Sequence, residues 1–171
     1  MTCRIREFLV IALLLTGAPA LAQSAQIREI TATGVGVLAL ENTKQIKDAA
    51  ISTGARTDSQ NPELLTATTT VTGSTDLNFG MIFVASGTPK NGIAAIRVKW
   101  LYPAPGMINP GTGVAKMLDE YPTTIKLGEP THLGWEVRRD WQIVPGIWTL
   151  QIWTANGQRM LASQDFTMVK P

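Results

Sequence analysis

The chain has 171 residues, 44% of them apolar and 16% charged, with one Cys, one His and a formal net charge of +2. That length holds at most one domain with enough apolar residues to bury a core, which excludes a disordered polyelectrolyte. Near neutrality also removes the basic footprint that a nucleic-acid binder needs.

The first 22 residues carry the three parts of an export signal. These are the basic Arg4 and Arg6, an apolar run from Phe8 to Leu15 extending to Ala18, and the small-residue pattern Ala20-Leu21-Ala22. The run is about 10 residues, against the roughly 20 that a transmembrane helix needs. Cys3 precedes the run, whereas a lipoprotein cysteine would follow it. Cleavage after Ala22 is therefore expected, leaving residues 23–171 as one periplasmic or secreted domain without a transmembrane segment. The only thiol departs with the signal, and loss of Arg4, Arg6 and Glu7 lowers the formal charge from +2 to +1.

Residues 27–40, which include Gly34 and Gly36, read as an opening strand; residues 41–51 suit helix or strand, with strand preferred. Residues 64–72 set Leu65, Ala67 and Val71 on one face and threonines on the other, and residues 77–85 are apolar on both faces, as in a central strand. After the turn GTPKNG (87–92), residues 93–102 alternate Ile96, Val98 and Trp100 with Arg97 and Lys99, a half-buried strand that Pro103 ends. Strands over 123–127 and 131–137 follow, the second with Leu133, Trp135 and Val137 inward. The clearest hairpin closes the chain: residues 147–154 with Trp148, Leu150 and Ile152 on one face, the turn Ala155-Asn156-Gly157-Gln158, and a return over 159–169. Leu161 and Phe166 are five apart, so a regular pleat would oppose them; a β-bulge near Ser163 and Gln164 is expected to bring both to the core.

Seven or eight short strands without a repeat or heptad run predict an immunoglobulin-like antiparallel β-sandwich, with a small β-barrel as the alternative. No cysteine remains for an inter-sheet disulfide, so Trp100, Trp135 and Trp148 are the expected central side chains. Trp141, in the connection Arg138-Arg139-Asp140-Trp141, and Trp153, opposite in face to Trp148, are either contact residues or covered by neighbouring chain.

The segment VPGIWTLQIWTANGQRMLASQDFTM, with FGMIFVASG and IRVKWLYPAPG upstream, resembles the bacterial domain of unknown function 3859 family. Val144, Pro145, Gly146, Trp148, Ile152, Trp153, Arg159, Leu161 and Phe166 occupy the pattern, with Met168 where Val is more usual. The resemblance runs from about Val71 to the end. It implies a β-rich fold, and its motif contains no catalytic group.

Chemistry is narrowed by subtraction. His132, the single histidine, is expected on the wet face of an outer strand, and no G-x-S-x-G turn presents a serine to it. The usual zinc ligand sets and the calcium loop pattern are missing, so no metal or other cofactor is expected. Gly34-Val35-Gly36 and Gly111-Thr112-Gly113 lack the remainder of a phosphate cradle. Asp119-Glu120, and Glu136 with Asp140 around Arg138 and Arg139, are either paired catalytic carboxylates or solvated ion pairs. The eleven-residue connection 103–113 (PAPGMINPGTG) carries Met107 and Ile108, which either meet a partner or plug the end of the sandwich. Free sheet edges offer strand addition as a further mode of binding. These features favour a non-enzymatic module binding a periplasmic or envelope protein or other envelope ligand, with Met107, Ile108, Trp141 and Trp153 as candidate contacts. A carboxylate-dependent hydrolase of an envelope polymer is the alternative.

Overall fold

A computed structural model describes residues 25–171; the export signal, its cleavage point and Cys3 lie outside the described residues. The strands are β1 (Gln26–Lys47), β2 (Ala55–Ala67), β3 (Thr70–Thr72), β4 (Asn78–Thr88), β5 (Ile93–Leu101), β6 (Met107–Ile108), β7 (Ala115–Lys116), β8 (Leu118–Lys126), β9 (Pro130–Glu136), β10 (Gly146–Thr154) and β11 (Met160–Val169), with a 3-10 turn at Asp140–Gln142. One sheet has the order β2-β1-β4-β9, the facing sheet β3-β11-β10-β5-β8, and β6 pairs with β7 alone. This is a β-sandwich, and among the described residues no backbone ladder closes it into a barrel.

Alternation accounts for the two inner strands. On β5, Ala94, Ile96, Val98 and Trp100 are buried while Arg97 and Lys99 face outward, and on β4 Phe79, Met81, Phe83 and Ala85 point inward. β4 lies between β1 and β9, the interior position that its two apolar faces require. Between the sheets Phe79 meets Trp100 and Trp148 edge-on with centroids 5.7 Å apart, and Phe166 at 5.2 Å. Trp135 and Tyr102 extend the cluster, at 5.6 and 4.8 Å from Trp148. Each such pair adds about 0.5–1.5 kcal/mol beyond its burial, so this aromatic layer joins the sheets where related folds use a disulfide.

The V-P-G-x-W motif has a local explanation. The Trp148 indole N–H donates to the Val144 carbonyl at 2.8 Å, which satisfies a buried donor. Gly146 has φ +132°, and a Cβ there would come within 2.6 Å of Pro103. The basic position is explained as well: Arg159 Nη2 donates to the Ile27 carbonyl at 2.7 Å, tying the β10–β11 hairpin to β1 of the facing sheet.

Three details differ from the sequence expectation. Residues 64–72 are not one strand: β2 ends at Ala67, the chain crosses to the other sheet, and Val71 is buried there while Leu65 is exposed. Thr68 Oγ1, which accepts from Thr70 N at 3.0 Å and donates to its carbonyl, supports the crossing. The bulge in β11 falls at Leu161, because Ile152 pairs with Ala162 and Trp153 with Met160, whereas Ser163 and Gln164 pair regularly. Residues 27–40 and most of 41–51 join in one 22-residue strand that carries several register shifts.

Those shifts matter for the site. β1 pairs with β4 only as far as Val37, opposite Phe79, yet pairs with β2 on to Lys47. Its distal half therefore leaves the sandwich with β2 as a two-stranded arm. Gly36, at φ +150°, stands at the departure point, and a Cβ there would lie 1.9 Å from the Thr66 carbonyl oxygen.

Candidate functional site

The arm bends across the side of the molecule where β8 and β9, each the last strand of its sheet, lie near one another. Thr57 and Ser59 of β2 thereby meet Glu136 and His132 of β9, strands at opposite ends of the sheet order. The Thr57 hydroxyl donates to Glu136 Oε2, and Arg138 completes the strap, donating to Glu136, Thr57 and the Gln45 side chain.

The arm's tip is anchored separately. Ile51 enters the core, and the buried Asp119 carboxylate accepts from Ser52 N and Ser52 Oγ, both at 2.7 Å. Asn109 Nδ2 donates to the Ser52 carbonyl, and Lys116 Nζ to that of Ala50, each at 3.0 Å.

Beneath the arm lie two adjoining spaces. The outer is a groove of about 370 Å3 lined by Ser59 and Asn61 of β2, Thr123 and Thr124 of β8, and Thr131 and His132 of β9. The inner is a cavity of about 50 Å3 that reaches Trp135, Gln142 and Glu136. Arg56, Thr57, Tyr121, His132 and Gly134 border both. The Arg56 guanidinium lies 5.4 Å from the centre of the Tyr121 ring, whose hydroxyl is pushed up to about 12, mainly by burial.

His132 is not on a wet face. It is half-buried in the groove, and Ser59 Oγ and His132 Nε2 share a hydrogen bond of 3.0 Å, because the arm covers the edge that β9 would otherwise expose. Burial lowers its pKa, partly opposed by Asp58, so the ring is neutral at neutral pH. Among the described residues no carboxylate hydrogen-bonds the ring, so the serine-histidine pair has no orienting third member.

The residues singled out from the sequence are not brought to one place. Of the two readings for the 103–113 connection, Met107 takes the plug and is no surface contact, being fully buried where the turn at 103–106 aims it into the core; Ile108 beside it is 45% exposed. Trp141 is half-buried in the 3-10 turn that packs near β6. Trp153 lies on the outer face of the other sheet, under the Lys99 ammonium at 4.9 Å. Strand alternation separates the candidate carboxylates. Asp119 points inward, while Glu120 points outward, where the Arg97 hydrogen bond and then Lys99 hold its pKa below the usual range. Glu136 lines the cavity but is bound by Arg138, and Asp140 is exposed. Among the described residues no cluster of three His, Cys, Asp or Glu side chains could hold a metal, and no helix is long and apolar enough to cross a membrane.

Arg56, Ser59, Tyr121 and Gln142 were not singled out by the sequence. The polar arm gave no periodicity to place, and the groove forms from segments more than 70 residues apart. The only cue was a glutamine beside a tryptophan in the charged connection 138–142, which is weak.

The fold has a solved counterpart. An immunoglobulin-like protein from Pseudomonas aeruginosa, known from a crystal structure, superposes with a TM-score of 0.55 at 22% identity, covering 86% of this chain and 99% of its own. No curated protein matches the sequence. Residues 26–168 match the sequence model described as Domain of unknown function (DUF3859), and the chain belongs to that family.

Proposed function

We propose that the protein is an exported, non-enzymatic binding module that holds an extended peptide segment of an envelope protein in the groove under the β1–β2 arm. The observation that carries this reading is the position of the groove between β8 and β9, the terminal strands of the two sheets. Each terminal strand has one line of backbone N–H and C=O groups without a ladder partner, and an extended peptide supplies the matching line. Threonines and Asn61 border the outer space, which suits a polar main chain more than an apolar helix. Dispersal of the carboxylates over opposite faces and separate ion pairs favours binding over hydrolysis. Export rests on the charge, apolar run and small-residue pattern of residues 1–22.

The test is a titration of isotopically labelled protein with unstructured hexapeptides and, separately, with an N-acetylglucosamine tetramer. Peptide, and not the sugar, shifts backbone amides of 121–125 and 131–135. Thr123→Phe, which fills the groove from a half-buried position, weakens the effect at least tenfold without lowering the melting temperature appreciably. Peptide shifts elsewhere on the surface, or none, refute the reading.

A further inference from the structure

The inner cavity has a chemical signature that the groove alone does not explain. Gln142 is 1% exposed, and its Oε1 accepts from the backbone N–H groups of both Arg138 and Arg139 at 2.7 Å. Those two donors fix the orientation of the amide, so the atom left over is Nε2, a donor with no partner. Trp135, 6% exposed, has an indole N–H without a partner, and Arg56 Nε is also unpartnered, its nearest carboxylate oxygen, from Asp48, being 3.8 Å away. All three residues line the same cavity. Of the acceptors nearby, Glu136 Oε2 is engaged by Arg138 and Thr57, and Thr57 Oγ1 by Arg138.

Three unpartnered donors, one of them cationic, call for an occupant rich in acceptors. A single water has two lone pairs, fewer than the three donors require. An ionised carboxylate has two oxygens, about four lone-pair sites and no hydrogen to place, and it makes the stronger charge-assisted bonds with a guanidinium. The cavity is several times the roughly 10–15 Å3 that one water needs, enough for a small planar group, and it adjoins the groove along their shared residues.

We infer that the inner cavity is a carboxylate subsite, taking the terminal carboxyl group of the peptide whose chain lies in the groove. This identification of the peptide end rests on the binding role proposed above, whereas the carboxylate subsite rests on the donor set alone.

Sodium acetate, acetamide, and one hexapeptide prepared with a free and with an amidated C-terminus distinguish the two. Acetate is expected to shift the Trp135 indole N–H and the Gln142 carboxamide signals saturably, with acetamide at least tenfold weaker and the free-acid peptide at least tenfold tighter than its amide. Gln142→Glu retains an acceptor for Arg138 and Arg139 while replacing the free donor with a carboxylate oxygen, so it stays folded and loses acetate binding at least tenfold. Failure of acetate to move either signal, or equal response of Gln142→Glu, overturns the subsite. Equal binding of the two peptides along β8 and β9 overturns the peptide terminus as the occupant, yet leaves the groove reading intact. Acetate binding with no peptide binding upholds the subsite and refutes the peptide as its source.

Discussion

Adjacent carboxylates in β8 are expected to differ widely in what they contribute to stability. Asp119 is 0% exposed and accepts two hydrogen bonds from Ser52, at 2.7 Å each, with Lys116 Nζ at 3.7 Å. Hydrogen bonds to a charged group contribute about 1.5–3 kcal/mol each. Asp119→Ala removes both and leaves the Ser52 N–H and hydroxyl buried; relief of carboxylate desolvation offsets part of the loss, and breaking a buried ionic contact from one side typically costs about 3–5 kcal/mol. With a urea m-value of about 2 kcal/mol/M, the midpoint falls by about 2 M. Glu120→Ala removes only solvent-facing contacts to Arg97 and Lys99, worth about 0–1 kcal/mol, and moves the midpoint by less than about 0.5 M. Amide exchange adds a local readout, since the Ser52 N–H loses its acceptor in Asp119→Ala and exchanges faster even if only the arm opens. Equal midpoint shifts for the two variants, or an unchanged Ser52 exchange rate, would refute the assignment of Asp119 as the anchor of the arm.

Three further outcomes follow from the same geometry. Gly36→Ala, which puts a Cβ 1.9 Å from a backbone oxygen at φ +150°, costs at least about 3 kcal/mol by thermal or urea unfolding, and a wild-type melt would refute the pivot. Met107→Ser opens a hole in the core and costs about 3 kcal/mol, whereas Ile108→Ser beside it stays within about 0.5 kcal/mol; the opposite order would place the wrong side chain inward. His132 has a folded-state pKa below its unfolded value of 6.5, so its contribution is fully present above 6.5 and is lost as pH falls from there toward the lowered folded value. The slope is at most about 1.4 kcal/mol per pH unit. His132→Gln should flatten that part of the stability profile, and an unchanged profile would assign the pH dependence elsewhere.

How much of this was legible in the sequence depended on whether a segment has a face. Residues 93–101 and 146–154 each bury one side, so period-two alternation located them and placed Trp100 and Trp148 in the core. The stretch 64–72 alternates as regularly, yet spans two sheets, because alternation records burial and carries no information on which sheet does the burying. The bulge in β11 was legible in kind, since Leu161 and Phe166 needed reconciling; its place at Leu161 is set by pairing with β10. Residues 41–47 are mostly exposed and have no apolar period, and their strand character comes from pairing with 55–60. The groove was the least visible feature, because Gln142, Trp135 and Arg56 acquire a common role only after the arm folds over β9.

That dependence also changes the meaning of the Pro/Gly connection at 103–113. A long loop carrying apolar residues reads as either a contact surface or a plug, and a two-stranded ribbon leaving a sandwich is marginal by itself. Here each accounts for the other. The loop seats Met107 in the core, and this places Asn109 to donate to the Ser52 carbonyl beside the Asp119 anchor. The arm is then held at its tip by Asp119, Asn109 and Lys116, and along its side by Arg138, Glu136 and Thr57. The cavity lies between those two sets of contacts, bordered by Thr53, Ala55 and Arg56 of the intervening segment. Covering the edges of β8 and β9 with side chains, where a further strand would have covered them with backbone, protects the edges and leaves a space beside them bordered by three residues with unpartnered donors. The loop thus acts on the proposed ligand only indirectly, by positioning the arm that shapes its site.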